Sequence, residues 1–461
     1  MQIRHTPIAG LEIIQLNLHG DDRGWFKENW NQRDFAVFTD ASWQLQTFRP
    51  VQHNLSFNAT AGVTRGMHAE PWNKLISIAY GEVMAAWIDL RSDSPTYGTK
   101  FQLRIGPDQA VFVPRGVANG FQALTATTYS YLVDAHWSAD AQYFYASYQE
   151  ISWPLPVTEL SAADRTHPPL AQAQPVPPLR VLITGATGQV GQALRKYFPN
   201  AEFSTRADLD LTADLTADLA SDLKHARDWT QYSAIIHAAA YTAVDQAQND
   251  AQTCWQVNAH AVTQLATIAR DYNLVFVNLS SDYVFDGTKD TAYVETDRVA
   301  PLNVYGQSKA AGEIATSIAH NHYNIRTSWV IGEGANFVAT MRRFAAEGRS
   351  PQVITDQIGR LTFADDLARG IAHLLQTHAP FGTYHLTSSG PKTSWYEIAQ
   401  EVYRLSHADP ALVQPITAAE YGAQAPRPHN SVLNTAKLEA TGFQPADWRT
   451  QLAAYLHTST P

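Results

Sequence analysis

One stretch constrains this chain more than any other: Arg165 to Pro178, where Pro168, Pro169, Pro175, Pro177 and Pro178 are separated mainly by small and polar residues. Proline fixes φ and removes a backbone donor, so neither a helix nor a central strand runs through such a segment. It is expected to be an extended linker, reaching up to about 40 Å at roughly 3.1 Å per residue. Two cores are therefore expected, residues 1–164 before a 165–178 linker and 179–461 after it, and 461 residues suffice for both.

The two parts differ in texture. Before the break, short apolar runs alternate with turn residues: Val83 to Leu90, Phe101 to Ile105, Ala110 to Val113, Thr128 to Val133. That spacing predicts an all-β sandwich or barrel. After the break, Arg180-Val181-Leu182-Ile183-Thr184 leads through a glycine turn into an amphipathic helix. Ala234 to His237 and Leu274 to Val277 then follow, each beside a helical stretch. Alternating strands and helices predict a parallel α/β sheet.

Composition narrows the function. A formal charge of −10 without clustered Lys or Arg excludes a general nucleic-acid binder. One cysteine, Cys254, excludes an intramolecular disulfide and a CxxC zinc site, and fits a reducing compartment. No window approaches 18 uncharged apolar residues, and the start lacks the apolar core of a secretory signal, so no membrane partner and a cytoplasmic location are expected.

Gly185-Ala186-Thr187-Gly188-Gln189-Val190-Gly191 stands between strand and helix, where backbone N–H groups can meet a pyrophosphate. Tyr305 and Lys309 are four residues apart, hence on one face of a helix, where an ammonium beside a phenol would stabilise the phenolate. Ser281 falls at the carboxyl end of a buried strand, the place where open α/β sheets hold ligands. In a reductase Ser281 would hold a substrate carbonyl, Tyr305 would protonate it, and Lys309 would hold the nicotinamide ribose.

With those residues, and with His237 to Asp245, Val257-Asn258-Ala259, Arg326 to Val330 and Asp356 to Gly359, the second part resembles the dTDP-4-dehydrorhamnose reductase family, extended short-chain dehydrogenases. The resemblance implies a Rossmann fold with a small substrate lobe, and NADPH as cofactor with NADH as the other possibility. It also implies that Gly188, Gln189, Val190, Asp210, Leu211, Ala239, Ala240 and Tyr241 line the dinucleotide, with Ser281, Asp282 and Trp329 on the sugar nucleotide.

In the first part His68 lacks the His-x-His pairing of a metal-binding barrel, because Ala69 and Glu70 follow it, and no metal is expected. Gly20 to Phe26, Gln52-His53-Asn54, Arg65-Gly66-Met67-His68, Lys74-Leu75, Val113 to Gly116 and Leu160 to Asp164 together resemble the dTDP-4-dehydrorhamnose 3,5-epimerase family. The resemblance implies a cupin-like jelly roll that acts on a dTDP-sugar and dimerises through this part. By it His68 is a base oriented by Asp164, Tyr131 the acid, and Lys74 the group that steadies an enolate. Arg23, Glu28, Gln52, Asn54, Arg65, Asn119 and Gln142 are the implied substrate contacts. Asn119, Gln142 and Ala163 stand where the family usually has His, Glu and Lys. The two halves together imply consecutive steps, epimerisation at C3 and C5 and then reduction at C4, giving dTDP-L-rhamnose.

Overall fold

A computed structural model describes residues 2–36, 40–138, 141–211, 223 and 227–458. It divides into two compact units, Met1–Leu179 with Asp228–Gln231, and Arg180–Arg227 with Tyr232–Pro461.

The first unit is built from two antiparallel sheets. One runs Gln2–His5, Glu12–Gln15, Gln109–Val113, Lys74–Tyr80, Thr127–Val133, Gln52–Asn58; the other runs Phe144–Tyr145, Thr64–Ala69, Val117–Ala123, Val83–Asp89, Lys100–Ile105. Ile76, Ile78 and Val111 from the first sheet meet Val83, Trp87 and Phe121 from the second in one apolar core. Each such side chain, fully buried, stabilises the fold by about 1.5–3 kcal/mol. The edge strand Gln52–Asn58 shows the period of two: Gln52, Asn54 and Ser56 are half-buried, while His53, Leu55 and Phe57 are exposed.

The proline-rich stretch corrects one expectation. Instead of spanning solvent, it folds onto the first unit through short turns at Asp164–Thr166 and Leu170–Gln172. Ala173 and Val176 are buried among Met67, Ile88 and Ala118. Val176 N–H donates to Leu90 at 2.7 Å and its carbonyl accepts from Ser92 at 2.9 Å. Proline forbids a ladder of its own, yet it leaves the residues between free to bury side chains and to pair with a neighbouring edge.

The second unit is an open parallel sheet ordered Glu202–Ser204, Arg180–Thr184, Tyr232–His237, Val275–Ser281, His322–Thr327, Gly382–His385. The order reverses beside Arg180–Thr184, and at such a switch point the strand ends open into a crevice. A further apolar cluster, including Val338, Met341, Val353, Ile398, Val402 and Trp448, forms the small lobe. Its helix Trp395–Leu405 begins at a capping box of Ser394 and Glu397. The expected α/β architecture with a minor lobe is the observed one.

Candidate active sites

In the first unit a cavity of about 530 Å³ opens between the sheets. His68 and Arg65 come from Thr64–Ala69, Asn119 from Val117–Ala123, Lys74 from Lys74–Tyr80 and Tyr131 from Thr127–Val133, and all five line it. Asn119 is the register partner of His68, so alternation points both side chains to one face. His68 and Tyr131 belong to opposite sheets, and therefore address the cavity from opposite walls.

His68 Nε2 lies 2.8 Å from Asp164 Oδ1. Asp164 also accepts from the Gly66 N–H at 3.2 Å. Burial alone would raise this carboxyl, but hydrogen bonds from His68, Gly66 and Ser161 and the charge of His68 outweigh it and hold Asp164 below its ordinary value. With Nε2–H donated to the carboxylate, Nδ1 keeps the lone pair. His167, from the proline-rich stretch, stacks on Tyr145 at 4.4 Å and meets His68 edge-on at 5.4 Å. Tyr131 is pushed up, by burial first and then by the charge of Glu70.

Some implied contacts lie elsewhere. Arg23, Glu28 and Gln142 are exposed and do not line the cavity. Arg23 is paired with Asp21 at 2.5 Å. Gln52 donates to Asn54 at 2.9 Å, and Asn54 is the register partner of Tyr131. Glu70, which in the sequence only breaks a His-x-His pattern, has a place in the site. It lines the cavity and takes an ion pair from Lys74 at 2.5 Å. The four-residue spacing from Glu70 to Lys74 was the available signal.

His68, Asp164 and His167 bring three ligand atoms within 4.8 Å of one another, the only such group among the described residues. The short His68–Asp164 hydrogen bond gives that cluster the chemistry of a proton-accepting pair.

In the second unit Gly185 has φ +71°, and a Cβ at Gly191 would lie 2.1 Å from the Gly185 carbonyl oxygen. Both positions need glycine, and they bring the start of helix Gln189–Tyr197 tight against the strand end. Gly188 caps that helix without a side-chain hydrogen bond, so the first-turn N–H groups of Gln189, Val190 and Gly191 have no intrahelical acceptor. An anionic pyrophosphate fits there. Ala239 and Ala240 follow the strand Tyr232–His237, and Tyr241 N–H donates to Asn258 Oδ1 at 3.0 Å. Asn258 also donates to Ser308 Oγ at 3.0 Å, clamping that loop to the helix of Tyr305, a link the sequence reading did not assign. Asp210 is exposed and lies 3.5 Å from Arg206; Leu211 is buried.

Ser281 ends its strand, accepts from Tyr283 N–H at 3.1 Å and donates to Asp282 Oδ1 at 3.0 Å. Tyr305 and Lys309 lie one turn apart on helix Val304–Thr316, and Tyr305 is hydrogen-bonded to Ser281. Lys309 Nζ donates to the Leu279 carbonyl at 2.9 Å. Burial, then the charge of Asp282, raises Tyr305 well above a free phenol, and burial lowers Lys309 to about 8. Desolvation of a phenolate outweighs the hydrogen bond from Ser281 that favours it. Asp282 is pushed up to about 7, again by burial. Trp329, at φ +47°, stacks on Trp395 with centroids 3.9 Å apart.

Residues 179–460 match the family described as RmlD substrate binding domain, and residues 5–172 match dTDP-4-dehydrorhamnose 3,5-epimerase. A dTDP-4-dehydrorhamnose reductase of Aggregatibacter actinomycetemcomitans is 38% identical over 291 residues, covering 59% of this chain and 97% of the relative. The dTDP-4-dehydrorhamnose reductase of Bacillus anthracis, solved in complex with NADP, is 33% identical with a TM-score of 0.56, covering 61% of this chain and 100% of that one. The dTDP-4-keto-6-deoxy-D-glucose reductase of Streptomyces niveus is 34% identical over 281 residues, covering 59% of this chain and 95% of the relative.

Proposed function

The chain belongs to the RmlD substrate binding domain family and carries an epimerase unit ahead of it; from that premise we propose that it makes dTDP-L-rhamnose in two steps. The first unit epimerises dTDP-4-dehydro-6-deoxy-D-glucose at C3 and C5, and the second reduces the C4 ketone with NADPH. The observation that carries this reading is the pair of complete acid–base sets in one chain: His68–Asp164 facing Tyr131, and Ser281–Tyr305–Lys309 at a strand end.

In the epimerase step the 4-keto group acidifies the protons at C3 and C5. His68 Nδ1 removes each, Asp164 balances the imidazolium charge, and the Lys74 ammonium stabilises the enolate oxygen. Tyr131, from the opposite wall, returns a proton to the other face of the ring, which inverts the centre. Arg65, on the strand of His68, and Asn119, on the strand beside it, hold the substrate.

In the reductase step the bound dinucleotide supplies hydride to C4. Gly188, Gln189 and Val190 would hold its pyrophosphate at the helix start, and Ala239, Ala240, Tyr241, Asp210 and Leu211 would line it. Ser281 donates a hydrogen bond to the C4 oxygen, Tyr305 gives that oxygen its proton, and Lys309 holds the ribose. Trp329 and Asp282 bound the sugar.

A homodimer through the first unit is part of the proposal. Trp25, Phe26, Leu55 and Phe57 are exposed on the hairpin and edge strand, and unpaired apolar strand edges favour association with a second copy. Arg23 and Glu28, outside the cavity of their own chain, are then available to a neighbouring one. A cytoplasmic setting is proposed with it, supported by the buried Cys254 and by the lack, among the described residues, of a helix long and apolar enough to cross a membrane.

The test is solvent-deuterium incorporation during turnover with NADPH. Two deuterons, at C3 and C5 of an L-rhamnose product, are expected; a single deuteron would reduce the first unit to a mono-epimerase, and none would remove its activity from the account.

A further inference from the structure

The buried ammonium of the barrel has a carboxylate on it that the proton chemistry above does not use. Lys74 has a side chain 7% exposed, and its Nζ is held from two sides, by Glu70 Oε2 at 2.5 Å and by Asn119 Oδ1 at 2.9 Å. Glu70 is itself fixed, since the Trp72 indole N–H donates to the same oxygen at 2.7 Å. Lys74 Nζ also lies 5.3 Å from the centre of the Tyr131 ring. An ammonium so placed has lost its water, and a lone buried amine sheds its proton instead of its solvation.

We infer that Glu70 is a positioning residue of the epimerase step, which keeps Lys74 charged and aims its Nζ along the cavity wall between Asn119 and Tyr131. The inference rests on the epimerase reading above and assigns that site a residue it had left without a part. Burial is the largest influence on Lys74 and lowers it, while the charge and hydrogen bond of Glu70 push the other way. The other ionisable groups around this cavity are Tyr129 and Tyr131 on their strand, Arg65 and His68 on theirs, and Glu159 and Asp164 on the closing segment. Tyr143 and Tyr145 also feel Glu70. Of the two carboxylates that face the cavity beside Glu70, Asp164 is committed to His68, so Glu70 is the counter-charge in hydrogen-bond contact with Lys74. The same negative charge raises Tyr131, which keeps the phenol protonated for its role as acid. Glu70 thus supports both the electrophile and the acid, and touches neither the base nor its carboxylate.

The experiment measures deuterium incorporation into dTDP-4-dehydro-6-deoxy-D-glucose against pH in the full chain, for wild type, Glu70→Gln, Lys74→Met and the double variant. Glu70→Gln is expected to lose about 100-fold in kcat with KM little changed, comparable to deleting a donor to a developing oxyanion. Its alkaline limb is expected to fall by about one pH unit or more, as an unpaired buried lysine deprotonates sooner. Glu70→Asp is expected to recover part of both. In the Lys74→Met background Glu70→Gln is expected to cost nothing further, because the two act as one unit. An unchanged KM in the exchange assay reports that the barrel of each variant is folded, and NADPH oxidation with substrate epimerised separately reports that the second unit is intact. A Glu70→Gln profile that superposes on wild type, or a double variant in which the two losses add, overturns the inference. Wild type without exchange at any pH instead overturns the epimerase reading itself.

Discussion

In the barrel cavity each buried charge has a side-chain partner in hydrogen-bond contact, Lys74 on Glu70 at 2.5 Å and Asp164 on His68 at 2.8 Å. At the strand ends of the second unit burial is again the largest influence on Tyr305, Lys309 and Asp282, but none of the three has an ion-pair partner among the described residues. The difference follows from the reactions. An enolate and an imidazolium are generated and discharged within the barrel by its own side chains, so the compensating charges are built in. The reductase set works beside a cofactor that brings charge and hydrogen bonds with it, so its residues are held in a dry site with few counter-charges of their own.

Removing one proton-transfer group at a time separates the two units most strongly. Tyr305→Phe is expected to abolish NADPH oxidation, by about a thousandfold or more, even with substrate epimerised separately, and to leave deuterium exchange intact. His68→Ala is expected to do the converse, with NADPH oxidation restored by an added epimerase. Loss of both activities in either variant would mean that the sites are not independent.

Next in size is Asp164→Asn, which leaves His68 in place without its carboxylate. Exchange is expected to slow by about 100-fold to 10,000-fold, read as kcat in the deuterium assay. The nearest equivalent in the second unit is a pH effect. Lys309 is a cation below about 8 and loses its charge as the pH rises through that value. The KM for NADPH is therefore expected to rise by about tenfold across that window, seen in initial rates at saturating sugar.

The smallest effects are on stability, and there the units should respond to acid with opposite signs. Asp164 lies below its unfolded value, so its contribution is present above the ordinary carboxylate range and is lost as the pH falls. Asp282 is raised to about 7, so its favourable contribution is complete below 3.8 and is lost as the pH climbs through 7. Asp282→Asn is expected to raise the Tm of the second unit more at pH 8 than at pH 5. A variant whose gain is equal at both values would show that burial of Asp282 is not the dominant influence.

Much of this was legible in the residues because it is local. A glycine turn between strand and helix, and a tyrosine four residues before a lysine, carry their geometry in their spacing, and the structure places Tyr305 and Lys309 one helical turn apart as expected. The strand runs of the barrel were equally plain, since Val83–Asp89 and Thr127–Val133 lie where apolar runs predict them. What escaped depends on contacts distant in sequence or on burial. Proline content says that 165–178 is not a ladder, but not that Val176 has a groove to fill beside Leu90. Glu70 counts in the sequence only against a metal, and its ion pair with Lys74 appears once the turn between the two strands is in place. The influence of burial on Tyr305 is hidden for the same reason, because spacing reports the lysine four residues on and is silent about desolvation.

Whether one chain holds two working active sites in series is decided by product analysis after incubation with dTDP-4-dehydro-6-deoxy-D-glucose and NADPH. Wild type is expected to give dTDP-L-rhamnose with no other enzyme present, His68→Ala to give it only when an epimerase is added, and Tyr305→Phe not at all. NADPH oxidation by wild type that requires an added epimerase, or that yields a sugar reduced without inversion at C3 and C5, would contradict the account.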